Sequence, residues 1–315
     1  MIDDLVPAFR AGQVRALARS ISLAERRDPA VRDLLEAVGG VAARPRVFGF
    51  TGAPGSGKST LVDALIERLR AERHRVAVLA VDPNSPFTGG AILGDRIRMQ
   101  RHAGDEGVFI RSMGARGHLG GLSLATREAL RLIGAFGFDR VLVETVGVGQ
   151  SELEIASVAD ATVVVLSPGQ GDGVQMLKAG ILEIADLFVV NKADLGGAQR
   201  TQQEVRTMLN MASRTKADWK PPIVAAVAVR GEGTDELLAA LDRHRAWQES
   251  TGELERRRRA ELAAETADLV AEQAREVARR RLLDDPALLE RGSPYAAAAA
   301  IVELGLRPAQ RGTAG

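Results

Sequence analysis

One octapeptide restricts the possible folds of this chain more than any other feature. Residues 52–59 read Gly-Ala-Pro-Gly-Ser-Gly-Lys-Ser and match the pattern G-x-x-x-x-G-K-[ST], whose glycines let backbone N–H groups converge on phosphate oxygens. The apolar run 47–50 precedes the motif, and a helix-forming stretch that begins at Lys58 follows it. A strand, a phosphate-binding loop and a helix in this order predict a P-loop nucleotide-binding fold. The alternative is a glycine-rich turn that matches the motif by chance.

The groups of this loop have predicted partners on a bound nucleotide. The ammonium of Lys58 reaches the β- and γ-phosphates, and the hydroxyl of Ser59 ligates Mg²⁺. The N-terminus of the following helix adds the positive end of its dipole. The residues predicted to bind the nucleotide here are Gly52, Ala53, Pro54, Gly55, Ser56, Gly57, Lys58, Ser59 and Thr60.

Short apolar runs alternate with helix-forming stretches from Arg46 to about His244. Val- and Ile-rich runs without polar alternation are typical of parallel strands that are buried on both faces. The sequence therefore predicts an α/β P-loop NTPase with a mostly parallel central sheet flanked by helices, plus N-terminal and C-terminal helical extensions. The predicted strands are 47–50, 76–81, 108–110, 140–143, 162–166, 187–190 and 223–229, and the predicted helices of this region are 58–70, 123–136, 174–184, 198–211 and 234–247.

We predict three segments: an N-terminal helical extension at 1–43, the P-loop domain at 44–249, and a C-terminal helical arm at 250–315. In the first segment, apolar residues recur at helical spacing, namely Leu5, Phe9, Val14, Leu17 and Ile21. In the last segment, a long Arg- and Glu-rich helix carries a thin apolar stripe made of Leu262, Leu269, Val270 and Val277. A helix that folds back on its own domain is the alternative to an exposed arm.

Two acidic residues follow predicted strands, Asp82 after 76–81 and Glu144 after 140–143. The carboxyl ends of parallel strands face the ligand crevice in open α/β sheets, so both residues are expected near the P-loop. Because Mg²⁺ prefers a few carboxylates, phosphate oxygens and water, both are candidates for the metal site. A helix cap or an ordinary surface acid is the alternative for each.

The tetrapeptide Glu144-Thr145-Val146-Gly147 stands where many GTPases carry Asp-x-x-Gly, with Glu in place of Asp. The backbone N–H of Gly147 is predicted to contact a γ-phosphate and to report hydrolysis as a loop movement.

The sequence Asn191-Lys192-Ala193-Asp194 follows the apolar run 187–190 and fits the N-K-x-D pattern of GTPases. The carboxylate of Asp194 can accept two hydrogen bonds from guanine, whereas adenine presents no matching pair of donors. Lys192 is predicted to lie across the purine ring and Asn191 to tie the loop together. These residues predict GTP and GDP as ligands, although the Ser-Ala pair that commonly steadies guanine is replaced by Val227-Ala228.

Composition restricts the remaining functions. The formal net charge is +1, so the chain has no general excess of positive charge for a nucleic-acid backbone. Cysteine is absent and the four histidines are scattered, which leaves no Cys or His metal site in the sequence. We find neither a signal-peptide-like start nor an apolar run of membrane-spanning length, and we expect a cytoplasmic protein without a membrane partner.

Five stretches in order carry a resemblance to a known family: GAPGSGKST, VDPNSPFTGGAILGDRIRM, FIRSMGARGHLGGL, VETVGVGQSE and NKAD. Together they resemble the MeaB/ArgK family, the GTPases associated with methylmalonyl-CoA mutase. The resemblance covers nearly the whole chain, and the second and fourth stretches are far more specific than the P-loop.

The resemblance implies a GTP-hydrolysing chaperone for an adenosylcobalamin-dependent acyl-CoA mutase, which gates cofactor loading and protects or reactivates the mutase. It also implies that Asp82, Asp95 and Glu144 surround Mg²⁺ and that Arg98 lies in a first switch segment. A further switch at 169–178 would contact the mutase through Asp172, Gln175 and Lys178. Family members tend to form homodimers through C-terminal helical arms, which the long helix at 253–281 fits.

Phosphoryl transfer requires positioning and charge neutralisation more than covalent chemistry. Lys58 and the Mg²⁺ held near Glu144 are predicted to absorb charge on the transferring phosphate. No Gln or Arg follows Gly147 at the spacing of small signalling GTPases, and Gln150 and Lys178 are the candidates for placing water. We therefore expect slow intrinsic turnover that the mutase accelerates.

Three other functions remain as alternatives. The first is a P-loop ATPase or kinase linked to basic amino-acid transport, against which Asp194 and the lack of an HRD motif argue. The second is a metal-insertion GTPase for nickel or zinc, which would need Cys and His ligands. The third is an assembly scaffold that binds nucleotide without hydrolysing it, against which the intact Lys58-Ser59 pair argues.

Overall fold

The predicted α/β architecture is confirmed in a computed structural model of the chain. The structure describes residues 2–40, 43–82, 100–102, 104–114, 121–145, 155–169, 181–211, 218–290 and 292–305. In these residues seven strands form one parallel sheet. The strands are β1 (Arg46–Thr51), β2 (Val76–Asp82), β3 (Val108–Gly114), β4 (Arg140–Thr145), β5 (Ala161–Leu166), β6 (Leu187–Val190) and β7 (Ile223–Ala225).

Helices precede, separate and follow these strands. They are α1 (Ile2–Arg10), α2 (Val14–Glu25), α3 (Ala30–Ala37), α4 (Lys58–Ala71), α5 (Gly121–Ala135), α6 (Ala198–Met211), α7 (Thr234–Thr251), α8 (Glu253–Asp284) and α9 (Pro294–Glu303). Short helical turns lie at Gln100–His102, Leu182–Ile184, Ala228–Arg230 and Pro286–Glu290. The predicted bounds of α6 are confirmed. Most of the helix predicted at 174–184 lies outside the described residues.

The strand order is β3-β2-β4-β1-β5-β6-β7, which puts β1 between β4 and β5. The register pairs Phe50 of β1 with Glu144 of β4 and with Val163 of β5. Since all strands run in one direction, their carboxyl ends meet at one edge of the sheet. The carboxyl ends of β1, β4 and β6 therefore lie at this same edge.

Both faces of the sheet are buried, as the apolar strands predict. Phe48, Phe50, Leu142 and Val163 point to the face that α4 and α7 cover, whereas Val47 and Val141 belong to the opposite core with α2 and α5. Successive residues of a strand alternate between the two faces, so β1 contributes side chains to both apolar cores. The loop that follows β1 is therefore anchored at its start.

The N-terminal helices pack on the second of these cores. Leu5, Phe9, Leu17 and Ile21 are almost fully buried, which confirms the helical spacing of the sequence, while Val14 at the start of α2 is 48% exposed. The N-terminal helices add a polar contact, in which Nη2 of Arg111 on β3 donates hydrogen bonds to Ser22 Oγ at 2.8 Å and Glu25 Oε2 at 2.6 Å.

The strand predicted at 223–229 is wrong in its second half, because β7 ends at Ala225. The chain then turns through the helical turn Ala228–Arg230, and Gly231 and Gly233 adopt left-handed backbone with φ of 69° and 85°. A side chain at Gly233 would collide with the carbonyl oxygen of Ala225. Ala226, Val227 and Ala228 are buried although they lie outside the strand. Their apolar side chains therefore extend the sequence pattern of β7 beyond its end.

The chain divides into two compact units, Met1–Leu254 and Glu255–Gly315. The first contains the N-terminal helices and the sheet. In the second, Leu288, Ala300 and Ile301 form a small apolar cluster with Ala278 and Leu282. Within the described residues, none of the helices has both the length and the apolar character that crossing a membrane requires.

Candidate nucleotide site

The loop between β1 and α4 has a backbone that only glycine accommodates at two positions. Gly52 has φ of 140°, and a side chain there would collide with the carbonyl oxygen of Val165 on β5. Gly57 has φ of 91°, and a side chain there would collide with the amide of Asn191 after β6. These glycines therefore let the loop lie directly against β5 and against the residue that follows β6.

Helix α4 begins at Lys58 without a capping side chain, because its N-cap residue is Gly57. The first N–H groups of a helix have no partner within the helix, and together with the helix dipole they attract an anion. Lys58 is 7% exposed, and its Nζ donates to the carbonyl oxygens of Gly52 at 2.8 Å and Ala53 at 3.2 Å. These bonds hold the ammonium over the loop, where phosphate oxygens can replace the carbonyls as acceptors.

The second residue of α4 joins the loop to the end of β4. The hydroxyl of Ser59 donates a hydrogen bond of 2.6 Å to Oε1 of Glu144, a length typical of a charge-assisted bond. Glu144 is 2% exposed, so this carboxylate is held in the interior beside the loop. The structure thus brings together the hydroxyl and one of the carboxylates that the sequence predicts for Mg²⁺. Both are hard oxygen donors of the kind this ion prefers, and the donor set fits it.

Of the other two predicted metal ligands, the structure describes only the backbone of Asp82. Asp82 ends β2, where its backbone pairs in register with Gly114, but its side chain lies outside the described part of the chain. Asp95 lies outside the described residues as well. The same holds for the predicted contacts Gly147, Gln150 and Lys178, and for Arg98, Asp172 and Gln175, which the resemblance implied.

Asn191 connects three segments of the site. Its Nδ2 donates to the carbonyl oxygens of Ser56 at 2.9 Å and Gly57 at 3.4 Å, and its Oδ1 accepts from the backbone N–H of Ala228 at 3.1 Å. The side chain is 2% exposed, so these bonds do not compete with water. Asn191 therefore ties the phosphate loop to the loop after β7, as its predicted role requires.

The contact with Ala228 bears on the missing Ser-Ala pair. Val227 stands where the serine would be, and its own backbone N–H donates to the carbonyl oxygen of Glu232 at 3.0 Å. The loop after β7 is thus held beside Asn191 by backbone groups and not by a serine hydroxyl.

Lys192 and Asp194 follow at the open side of the loop. Lys192 adopts a left-handed backbone with φ of 57°, and its Nζ donates to the carbonyl oxygen of Gly55 at 2.8 Å. The side chain of Asp194 is 36% exposed, and its Oδ2 accepts from Nη1 of Arg230 at 3.4 Å. The carboxylate is therefore accessible to a base that lies over the loop.

Arg230 is a residue of this site that the sequence did not predict. Its hydrogen bond to Glu232 is the largest cause that raises the pKa of the guanidinium above its ordinary value, and the charge of Asp194 contributes further. The sequence of 227–231 lacks the Ser-Ala pair, but no spacing rule places an arginine of this loop beside Asp194. The contact depends on the turn that ends β7 early.

The chain is similar to known proteins over most of its length. A family model described as "Methylmalonyl Co-A mutase-associated GTPase MeaB" matches residues 17–281. A protein of Pyrococcus horikoshii named as a GTPase is 47% identical over 272 residues, which are 86% of each chain. The mouse protein "Methylmalonic aciduria type A homolog, mitochondrial" is 36% identical over 82% of this chain and 66% of its own. A crystal structure of a "LAO/AO transport system kinase" superposes with a TM-score of 0.69 at 28% identity, over 96% of this chain and 97% of that one.

Proposed function

The chain belongs to the MeaB family of GTPases, and we propose that it is a Mg²⁺-dependent chaperone of an adenosylcobalamin-dependent acyl-CoA mutase of the methylmalonyl-CoA mutase type. In this role GTP hydrolysis gates cofactor loading and protects or reactivates the mutase. The observation that carries the proposal is the match of a mutase-associated family model over residues 17–281. The name of the mouse relative, which refers to methylmalonic aciduria, supports the same class of client.

Guanine nucleotide binds across the edge of the sheet in this proposal. The amides of the loop 52–57 and of the first turn of α4 surround the phosphates, and Lys58 turns from the carbonyls of Gly52 and Ala53 toward the β- and γ-phosphates. Lys192 lies along the purine, and Asp194 accepts hydrogen bonds from its N1–H and amino group. The support for this arrangement is that Asn191 holds both halves of the site together.

Ser59 and Glu144 would hold Mg²⁺, with Asp82 and Asp95 as further candidates. When bound, the ion supplies positive charge to the β- and γ-phosphate oxygens. The hydroxyl of Ser59 would offer an oxygen lone pair to the ion while its hydrogen stays donated to Oε1 of Glu144, so the buried carboxylate would fix where that oxygen lies. Among the residues that the structure describes, no three His, Cys, Asp or Glu side chains are grouped so that they could hold a metal ion. In the proposed site phosphate oxygens and water complete the coordination of Mg²⁺.

Placing the attacking water is the remaining task, and Gln150 and Lys178 stay the candidates. Lys58 and the helix N-terminus neutralise charge from one side of the phosphates, but no group of the described residues is assigned to the water. We therefore propose that intrinsic turnover is slow and that the mutase accelerates it by contacting the switch proposed at 169–178.

We further propose that the protein forms a homodimer through its C-terminal helical arm. Helix α8 exposes an apolar strip in which Leu262 is 54% and Val270 is 55% exposed, with Ala263 and Ala267 between them. Exposed apolar strips on a helix are favourable surfaces for helix–helix association. Sedimentation of a variant with Leu262→Glu and Val270→Glu tests this: it sediments as a monomer, while the control Met211→Glu, at an apolar residue of α6 that is 80% exposed, sediments as a dimer.

The test of the chaperone proposal is a reconstitution with the methylmalonyl-CoA mutase of the same organism. Steady-state GTP hydrolysis is measured for the full chain alone and with increasing mutase, and the complex is followed by size-exclusion chromatography with GDP, GTP or a non-hydrolysable analogue. We expect a complex whose stability depends on the nucleotide and a rate that rises and saturates with mutase. An unchanged rate together with no complex in any nucleotide state contradicts the proposal.

The name of the solved relative favours a second candidate, an ATPase or kinase linked to basic amino-acid transport. The two candidates differ in the base they require. Direct titration with ATP and GTP separates them, because Asp194 offers adenine an acceptor where adenine has no matching pair of donors. We expect GTP to bind tightly and ATP weakly, and the reverse order would favour the second candidate.

A further inference from the structure

Arg230 lies at the tip of the loop after β7, in a conformation that backbone bonds define. Its N–H donates to the carbonyl oxygen of Val227 at 2.9 Å, and Val227 and Glu232 form an antiparallel bridge below it. The side chain makes a two-point contact with Glu232, from Nε to Oε1 at 2.7 Å and from Nη2 to Oε2 at 3.3 Å. The remaining nitrogen, Nη1, is 3.4 Å from Oδ2 of Asp194. One guanidinium thus stands between two carboxylates.

The chemistry of these groups makes Arg230 a competitor of the base. Guanine presents N1–H and the amino group on C2, and a guanidinium presents the same arrangement of N–H donors around one carbon. A carboxylate that accepts from one therefore accepts from the other. We propose that Arg230 competes with guanine for Asp194, so that guanine binding transfers Arg230 wholly to Glu232. The inference rests on the proposed role of Asp194 in reading guanine.

Glu232 determines how strong this competition is. The side chains of Arg230, Asp194 and Glu232 are 51%, 36% and 57% exposed, so each ion pair is largely solvated. An ion pair with this exposure is expected to change the guanine-binding equilibrium by about two- to five-fold, and salt weakens the pair by screening its charges. Since Glu232 offers the guanidinium a second carboxylate, it weakens the hold of Arg230 on Asp194. Arg230 lowers guanine affinity and Glu232 restores part of it.

The predicted effects of the two side chains have opposite signs, which a double-mutant cycle measures. The full chain is titrated with a fluorescent GDP at low salt and again at high salt. Arg230→Ala binds GDP about two- to five-fold tighter than the wild type, and Glu232→Ala binds it more weakly by up to about the same factor. The double variant binds like Arg230→Ala, because Glu232 acts through Arg230. High salt reduces both effects. Arg200→Ala, which removes an exposed arginine paired with Glu204 on α6, leaves GDP affinity unchanged.

Weaker or unchanged GDP binding by Arg230→Ala overturns the inference, as does unchanged or tighter binding by Glu232→Ala. The Asp194→Asn variant, titrated in parallel, separates this failure from failure of the proposed site. If Asp194→Asn loses GDP and Arg230→Ala does not gain it, Asp194 reads guanine and the competition is absent. If Asp194→Asn binds GDP like the wild type, the proposed reading of the base is wrong, and the competition fails with it.

Discussion

The side-chain amide of Asn191 donates a hydrogen bond of 2.9 Å to the backbone carbonyl of Ser56, although 135 positions separate them in the chain. The bond is buried and crosses from the end of β6 to the loop after β1. Because the same side chain also accepts from Ala228, the two segments proposed to bind the phosphates and the base form one connected structure. A change in one half is therefore expected to affect the other.

Removal of this bridge tests the connection. Asn191→Ala leaves the Ser56 carbonyl and the Ala228 N–H without their partner in a buried region, which costs about 1–3 kcal/mol for each unsatisfied group. We expect a lower free energy of unfolding in urea and weaker GDP binding. Asn210→Ala, which changes an exposed asparagine on α6, is the matched control and should alter neither. Unchanged stability together with unchanged GDP affinity in Asn191→Ala would show that the bridge is not needed.

Lys58 is expected to act on the transferring phosphate rather than on the fold. Lys58→Ala removes the ammonium that faces the loop carbonyls and should lower kcat for GTP by about 100-fold or more. The circular dichroism spectrum should stay that of the wild type, because the change leaves the strands and helices in place. Lys192→Ala provides the contrast, since it removes an ammonium assigned to the base and should raise KM with little change in kcat. Wild-type GTP turnover in Lys58→Ala would remove the phosphate-site assignment.

The variant Glu144→Gln tests the proposed metal site and leaves the residues proposed to contact the nucleotide unchanged. Glu144→Gln keeps the shape of the side chain but removes the charge that Ser59 faces. The concentration of Mg²⁺ needed to strengthen GDP binding should rise by about 10- to 100-fold, while GDP affinity in EDTA stays the same. Glu72→Gln, at an exposed carboxylate beyond the other end of α4, should follow the wild-type Mg²⁺ titration. An unshifted titration for Glu144→Gln would place the ion elsewhere.

A pH-dependent contribution to stability comes from Asp105, three residues before β3. Its contact with Arg70, through two hydrogen bonds of 2.7 and 2.8 Å, is the main reason that its pKa lies below the ordinary value of 3.8; burial opposes the shift and the Gly107 N–H supports it. The folded chain therefore keeps Asp105 ionised where the unfolded chain is protonated. The contribution is complete above pH 3.8 and is lost as the pH falls through the lowered pKa.

Asp105→Asn should consequently destabilise the protein by about 1 kcal/mol or less at pH 7, as expected for a partly exposed pair. The difference from the wild type should shrink as the pH is lowered below 4. Urea unfolding across this range, or the acid midpoint where urea cannot be used, measures it. A difference that is constant with pH would mean that the carboxylate charge does not contribute.

The parts of this protein that could be predicted from the sequence are those in which local pattern and function require the same residues. The octapeptide at 52–59, the apolar strands and the Asn191–Asp194 loop each contain their own signal. The end of β7 could not be predicted, because Ala226, Val227 and Ala228 are buried for reasons of packing and not of pairing.

Besides the end of β7, the sequence does not reveal the contacts between side chains of distant segments. The pairing of Ser59 with Glu144 follows from two expected positions at one sheet edge, and the structure brings them together. The approach of Arg230 to Asp194 follows from no pattern, since it depends on a turn whose shape is set by Gly231 and Gly233. Side-chain geometry of this kind requires the three-dimensional arrangement of the loops.

The central claim is that Asp194 reads guanine above a loop that holds the phosphates, and Asp194→Asn with xanthine nucleotides tests it most directly. Xanthine carries a carbonyl at C2 where guanine carries an amino group, so an asparagine amide can donate to xanthine but faces the guanine amino group with a second donor. We predict that Asp194→Asn binds GTP at least about 30-fold more weakly than the wild type and gains binding and hydrolysis of XTP. Unaltered preference for GTP over XTP in this variant would contradict the account.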